Sequence, residues 1–118
     1  MSYVEHWARA FAFTCAVELA VATPLLRRVE VSRSRRLAAV MLANVASHPA
    51  VWFVLPELGL RYQPMVALAE AWAVAAEVAA YAIVFPALGA RRALGVSAVA
   101  NAASFGIGLV VRALTGWV

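Results

Sequence analysis

The chain has 118 residues, of which 65% are hydrophobic and 14% charged, and its mean hydropathy is +0.84. Soluble domains contain about 45–50% apolar and about 25% charged residues. A fold of this size cannot hide so much apolar surface from water, so we expect lipid to be its main solvent. This composition excludes a disordered chain, a coiled coil, a secreted disulfide scaffold and an ordinary cytosolic enzyme.

The net charge of +4 comes from ten Arg and six Glu, with no Lys and no Asp. The Arg residues lie beside apolar segments, and no soluble domain is present to display them. Membrane topology therefore explains the basic charge better than nucleic-acid binding does. The single Cys15 allows no intramolecular disulfide and no cysteine metal cluster.

Four apolar stretches follow one another along the chain, at residues 10–26, 37–55, 65–88 and 93–111. Each is close to the ~20 residues that a helix needs to cross ~30 Å of hydrocarbon. The links between them are short, so neighbouring helices must run antiparallel. We predict an all-α integral membrane protein with one four-span domain over residues 1–118. Its helices are expected at about 8–27, 35–55, 64–88 and 91–114 and form a transmembrane four-helix bundle.

The first stretch is not expected to be a cleaved signal peptide. The residues before it include Glu5 and no basic side chain before Arg9, and Glu18 interrupts its apolar run. We interpret it as part of the mature fold.

Arginine predicts the orientation of the four spans. Seven of the ten lie in the first and third links: Arg27, Arg28, Arg33, Arg35, Arg36, Arg91 and Arg92. By the positive-inside rule these links face the cytoplasm and both termini lie outside it. We expect an integral protein of a bacterial inner membrane.

The two halves of the chain resemble each other. Each has a glutamate in the middle of its first helix, then an Arg-Arg pair, then Asn-x-x-Ser in its second helix. The spacing from Glu18 to Asn44 is 26 residues, and that from Glu77 to Asn101 is 24. Because both halves start on the same side, the pattern predicts two parallel helical-hairpin repeats, related by about 180° around the membrane normal.

These four polar residues all fall near the bilayer midplane, at 1.5 Å of helix rise per residue. An ionised carboxylate there costs ~2.5 kcal/mol or more, so Glu18 and Glu77 should face the bundle interior and have partners. The amides of Asn44 and Asn101 are the obvious ones. We expect the two carboxyls to titrate as a coupled pair, at least one being neutral at pH 7.

Helical spacing extends this set toward the outer side. His48 lies one turn from Asn44 on the same face, and Glu70 lies two turns from Glu77. We define the polar seam as Glu18, Asn44, His48, Glu70, Glu77 and Asn101. Supporting residues on the same helix faces are Thr14, Ser47, Tyr81, Ser104 and Arg112, and Ser97 shares the face of Asn101.

Each element of the seam also has a structural interpretation. Asn and Ser in membrane helices commonly hydrogen-bond neighbouring helices, and His48-Pro49 is also typical of a helix kink. The glutamates are harder to explain by packing, since apolar residues would pack at lower cost. Three Glu, one His and two Asn are suitable ligands for a divalent cation. The Glu-x-x-His pattern of bundle metal sites is missing, however, so metal binding stays open.

In size, number of spans and the helix-1 glutamate, the chain resembles the small multidrug resistance transporters. In that family the helix-1 Glu exchanges protons and cationic substrates across a dimer, which would give Glu18, within Ala16-Val17-Glu18-Leu19, the same role. Those transporters generally lack the further membrane glutamates and the Asn-x-x-Ser pair. The chain therefore resembles these transporters only by analogy, and we do not assign it to their family.

Our leading hypothesis is a carrier or channel-like protein in which the polar seam handles protons or a small cation. The alternatives are an accessory or assembly subunit of a larger membrane complex and an intramembrane enzyme acting on a lipid. The sequence has no recognisable catalytic motif and requires no cofactor. Expected partners are the lipid bilayer and either further copies of the chain or a larger membrane complex, with no nucleic acid.

Overall fold

The computed structural model describes residues 1–117 and contains four long helices. They are α1 (Tyr3–Leu25), α2 (Arg33–Phe53), α3 (Tyr62–Val84) and α4 (Ala90–Thr115). As predicted, all four are long and apolar enough to cross a membrane, which is consistent with an integral membrane protein. The predicted domain ended at residue 118, and Val118 lies outside the described residues.

The helix ends differ from the hydropathy boundaries because local capping determines them. Helix α1 begins at Tyr3, five residues earlier than predicted, because Ser2 and Glu5 form a capping box that satisfies backbone N–H groups at its start. Helix α3 ends at Val84 rather than near residue 88, since Pro86 cannot continue it and begins a 3-10 turn (Pro86–Leu88). Gly89, at φ 78°, then adopts a conformation suited to glycine, and α4 starts directly after it.

The four helices form a closed ring. Helix α1 packs against α2 and α4, and α3 packs against the same two helices. Many interior positions hold alanine, whose small side chain lets helix backbones approach closely; these are Ala10, Ala22, Ala39, Ala43, Ala73, Ala80, Ala93 and Ala100. The longest dimension of the molecule is 39 Å, enough to cross ~30 Å of hydrocarbon.

The polarity of the bundle is reversed relative to a soluble protein. Large apolar side chains point outward on every helix, among them Val4, Leu42, Val45, Ile83, Val99 and Ile107. Polar side chains are buried between the helices. Lipid tails would solvate the outer surface well, whereas water would not.

The interior differs between its two ends. Near the Arg-rich links an apolar cluster that includes Leu26, Val40, Tyr81, Phe85 and Leu88 fills the space between the helices. Toward the end that holds the N-terminus and the end of α4, the helices leave a cavity of about 350 Å³. The buried carboxyls lie where the cavity meets the closed half.

Candidate functional site

Glu18, on α1, is fully buried, with 0% of its surface exposed. Its Oε2 accepts a hydrogen bond from Asn44 Nδ2 on α2 at 2.9 Å. Its Oε1 accepts one from Ser104 Oγ on α4 at 3.1 Å. The carboxyl is therefore held by donors from both helices that flank α1.

Glu77, on α3, is 1% exposed and has three donors. Its Oε2 accepts from Asn101 Nδ2 at 2.6 Å and from Ser97 Oγ at 2.7 Å. Its Oε1 accepts from Ser47 Oγ at 3.2 Å. These donors lie on α4 and α2, the two helices that flank α3.

The two glutamates are bound in a reciprocal way. Each accepts from the asparagine of the helix that follows it, as the sequence predicts. Each also accepts from the serine three residues after the other asparagine: Ser104 bonds Glu18, and Ser47 bonds Glu77. The network therefore connects all four helices around the centre of the bundle.

Main-chain carbonyls fix the orientation of both asparagine amides. Asn44 Nδ2 also donates to Val40 O at 3.0 Å, and Asn101 Nδ2 to Ser97 O at 2.9 Å. With the nitrogen of Asn44 directed in this way, its Oδ1 is buried and accepts no hydrogen bond from residues 1–117. A free acceptor thus remains on the amide that binds Glu18.

Neutral groups supply every hydrogen bond to the two carboxyls. Within the part of the chain that the structure describes, the one ion pair lies away from the network and joins the exposed Arg35 to the partly buried Glu30 at 3.1 Å. Two ionised glutamates would therefore place uncompensated negative charge in an apolar interior, which is strongly unfavourable. The site needs protons or a bound cation to be neutral.

The cavity next to this network is lined by groups of mixed polarity. Its lining includes Glu18, Glu77, Asn101, Ser47 and Ser104 from the network, together with Thr14, His48, Trp52, Tyr62, Glu70 and Arg112. His48 packs edge-on against Phe11 and parallel to Trp52, and its Nδ1 has no hydrogen-bond partner among residues 1–117. Glu70 is half-buried, and Arg112 is exposed.

The structure thus brings most of the predicted seam together in one place. Asn44 lies behind Glu18 and does not line the cavity. Tyr81 lies on the other side of the network, fully buried in the apolar cluster, and its hydroxyl has no hydrogen-bond partner among the residues that the structure describes. His48 and Glu70 line the cavity, but no hydrogen bond joins either of them to the buried glutamates in residues 1–117.

Two contacts of the site were not among the predicted site residues. Ser97 donates to Glu77, and its position one turn before Asn101 was the available signal. Trp72 Nε1 donates to the carbonyl of Ser47 at 3.2 Å and so joins α3 to α2 beside the network. Nothing in the sequence pattern singled out Trp72, because an aromatic residue in a membrane helix usually faces lipid or its interface.

In residues 1–117, no three His, Cys, Asp or Glu side chains come close enough together to hold a metal ion. The two buried carboxyls are instead occupied by amide and hydroxyl donors.

Comparison with known proteins gives no match: the sequence fits no protein-family model, and neither a curated protein nor a solved structure is significantly similar.

Proposed function

We propose that this chain is a small membrane carrier that handles protons at the buried carboxyls of Glu18 and Glu77. One observation supports this most strongly. Both carboxyls lie inside the bundle beside a cavity of about 350 Å³, and within residues 1–117 neither has a positive side chain as a partner. Groups of this kind, costly to bury and not needed for packing, are typical of ion and proton pathways in membrane proteins.

The ligand chemistry favours a proton over a metal ion. A divalent cation would need several oxygen ligands converging on one point, and no three His, Cys, Asp or Glu side chains come together within residues 1–117. A proton needs only one carboxyl oxygen and an acceptor for the new O–H. The free Oδ1 of Asn44, on the amide that already bonds Glu18, is such an acceptor.

The cavity supplies access to the carboxyls from one end. Thr14, His48 and Glu70 line it between Glu77 and the exposed Tyr62. The apolar cluster around Tyr81 separates the network from the Arg-rich end. In a carrier cycle, a rearrangement of the helices would open that second half while closing the first.

We propose the Arg-rich links as the cytoplasmic side of a bacterial inner membrane, with both termini outside. We further propose that the hairpins α1–α2 and α3–α4 are parallel repeats. The reciprocal bonds Ser104–Glu18 and Ser47–Glu77 support this second proposal, since a two-fold axis between the hairpins would exchange them.

The test is to compare proton flux and stability in Glu18→Gln and Glu77→Gln. Glutamine keeps an acceptor oxygen for the asparagine amide, and its NH₂ group can donate to a serine hydroxyl that rotates. Both variants should therefore fold, with melting temperatures in detergent equal to or above that of the parent chain. In vesicles holding a pH-sensitive dye, an imposed gradient should dissipate no faster with either variant than in protein-free vesicles.

Glu57→Gln is the matched control, because Glu57 is exposed in the turn after α2 and contributes nothing to the network. It should keep the parental flux. If both buried variants also keep the parental flux, the carrier proposal fails. Loss of assembly with other membrane proteins, without any change in flux, would instead indicate an accessory subunit.

A further inference from the structure

A second cavity, of about 540 Å³, lies at the opposite end of the molecule, between the last turns of α1 and the start of α2. Three arginines line it: Arg27, Arg33 and Arg36. Its other walls are the apolar side chains of Leu19, Ala20, Val31 and Leu37, together with Thr23 and Pro24. We call this the arginine groove. It is separate from the buried glutamates and shares no lining residue with their cavity.

Arg36 is fixed by the end of α1. The amide of Arg27 bonds Pro24 O instead of Thr23 O, which leaves the Thr23 carbonyl free. Arg36 Nη1 donates to that carbonyl at 2.7 Å. Arg36 as a whole is 9% exposed, and its buried Nε has no partner among the described residues 1–117. The Nε edge of a guanidinium can donate two parallel hydrogen bonds, which is the geometry that carboxylates and phosphates accept.

Thr23 adds a second unpartnered donor. The residue is 8% exposed, and its Oγ1 makes no hydrogen bond within residues 1–117. Two buried donors without acceptors in one groove are costly unless a ligand satisfies them. The neighbouring Glu30 does not compensate, since it bonds Arg35, which does not line the groove.

We propose that the arginine groove binds a phosphate-bearing anion. Three guanidiniums and a hydroxyl provide donors and charge for a phosphate, and the groove lies where the spans end, at the level of lipid headgroups. Basic pockets between membrane helices on this side bind anionic headgroups. The apolar wall of Leu19, Ala20 and Leu37 continues from the arginines along the outer surface, where an acyl chain would lie.

The experiment titrates the full chain, purified in a neutral detergent, with three probes. These are a short-chain phosphatidylglycerol, a phosphatidylcholine with the same chains, and inorganic phosphate. Native mass spectrometry and the melting temperature report binding.

Phosphatidylglycerol should bind and raise the melting temperature, and phosphatidylcholine should bind more weakly because its ammonium group is repelled by the arginines. Inorganic phosphate that displaces phosphatidylglycerol identifies the lipid phosphate as the recognised group. Inorganic phosphate that stabilises the protein as much as the lipid does identifies a soluble phosphate as the ligand.

Arg27→Gln/Arg33→Gln tests the groove without disturbing the contact between Arg36 and α1. Its affinity for phosphatidylglycerol should fall about tenfold or more, since charge-assisted hydrogen bonds are lost. Arg28→Gln/Arg91→Gln removes the same charge at the same end of the bundle, from exposed residues that do not line the groove. The affinity of this control variant for phosphatidylglycerol should stay within about threefold of that of the parent chain, because exposed charges away from a site act weakly.

Thr23→Val provides a test that does not alter charge. It replaces an unpartnered hydroxyl by a methyl group, so the unliganded protein should melt at the same or a higher temperature, while phosphatidylglycerol affinity falls. Equal losses in the two double-arginine variants, or equal binding of phosphatidylglycerol and phosphatidylcholine with no effect of phosphate, would overturn the proposal. So would unchanged affinity in Thr23→Val.

Discussion

At the scale of single residues, the two buried glutamates are held unequally. Glu77 accepts three hydrogen bonds and Glu18 accepts two. The difference comes from the residue four positions before each asparagine, which is Ser97 in α4 and Val40 in α2. The valine contributes only its carbonyl, to Asn44, whereas the serine contributes its hydroxyl as well. The carboxyl of Glu18 thus has fewer donors, and the amide oxygen of its neighbour Asn44 has no partner within residues 1–117. Under the proposed function, Glu18 is therefore the better place for a proton.

Alanine substitutions should reveal this inequality as a difference in stability. Glu77→Ala removes the acceptor of three buried donors, and Glu18→Ala removes that of two. The hydroxyls of Ser47 and Ser104 can still bond the carbonyls of Asn44 and Asn101. Glu77→Ala therefore leaves two buried N–H or O–H groups unpaired, on Ser97 and Asn101, and Glu18→Ala leaves one, on Asn44. Each such group costs about 1–3 kcal/mol, and a small cavity adds to the loss. We expect both variants to melt below the parent in detergent, Glu77→Ala by more. The Gln variants serve as references, because they keep the acceptor.

One result would contradict this predicted difference in stability. If Glu77→Ala melts at the same temperature as Glu77→Gln, the serine and asparagine donors do not depend on the carboxyl. The network would then contribute nothing to the stability of the bundle.

At the scale of helices, two serines join elements that are distant in sequence. Ser104 links α4 to α1, and Ser47 links α2 to α3. Without a hydrophobic force between helices in lipid, such bonds and close packing of small residues determine how helices associate. Trp72 adds a third link, to the Ser47 carbonyl in the part of α2 that precedes Pro49.

Ser47→Ala and Ser104→Ala should each weaken the bundle slightly. Hydrogen bonds between membrane helices are worth about 0.6 kcal/mol on average and at most about 1.7 kcal/mol. We therefore expect small decreases in melting temperature, with the Ser47→Ala/Ser104→Ala double variant close to the sum of the two. Ser34→Ala is the control, because Ser34 is exposed near the start of α2 and its hydroxyl contacts that of Ser32 at the same helix end, at 3.1 Å. It should be close to neutral. A decrease in Ser34→Ala as large as in the other two would show that the loss of a serine hydroxyl, and not the loss of a bond between helices, lowers the melting temperature.

Much of the fold could be predicted because hydropathy and the 3.6-residue period specify it. The number of helices follows from apolar runs near 20 residues, and the burial of Glu18 and Glu77 follows from the cost of placing a carboxyl in lipid. Pairing of each glutamate with an asparagine followed from their equal depth. The serine bonds between hairpins could not be predicted, since they depend on how far each helix is rotated within the ring. The start of α1 was also missed, because the capping box at Ser2 lies outside the apolar run.

At the scale of the whole molecule, charge and polarity divide the bundle into two ends. One end carries seven arginines, in the first link and at the starts of α2 and α4, together with the arginine groove and an apolar cluster that fills the interior. The other carries the mouth of the cavity, together with aromatic contacts among Tyr3, Trp52 and Phe53. Access to the buried carboxyls in this conformation is therefore from the end opposite the seven clustered arginines.

Reporter fusions test which side that is. Because Lys and Arg near span ends are retained in the cytoplasm, the first link should face the cytoplasm and the C-terminus should face away from it. A reporter that works only outside the cytoplasm should be active when fused to the C-terminus of the full chain and inactive when fused after Glu30. A fluorescent reporter that matures only in the cytoplasm should give the opposite pattern. If the cytoplasmic reporter is active at the C-terminus, the orientation is reversed. The cavity would then open to the cytoplasm, and the arginine groove would face the outer leaflet.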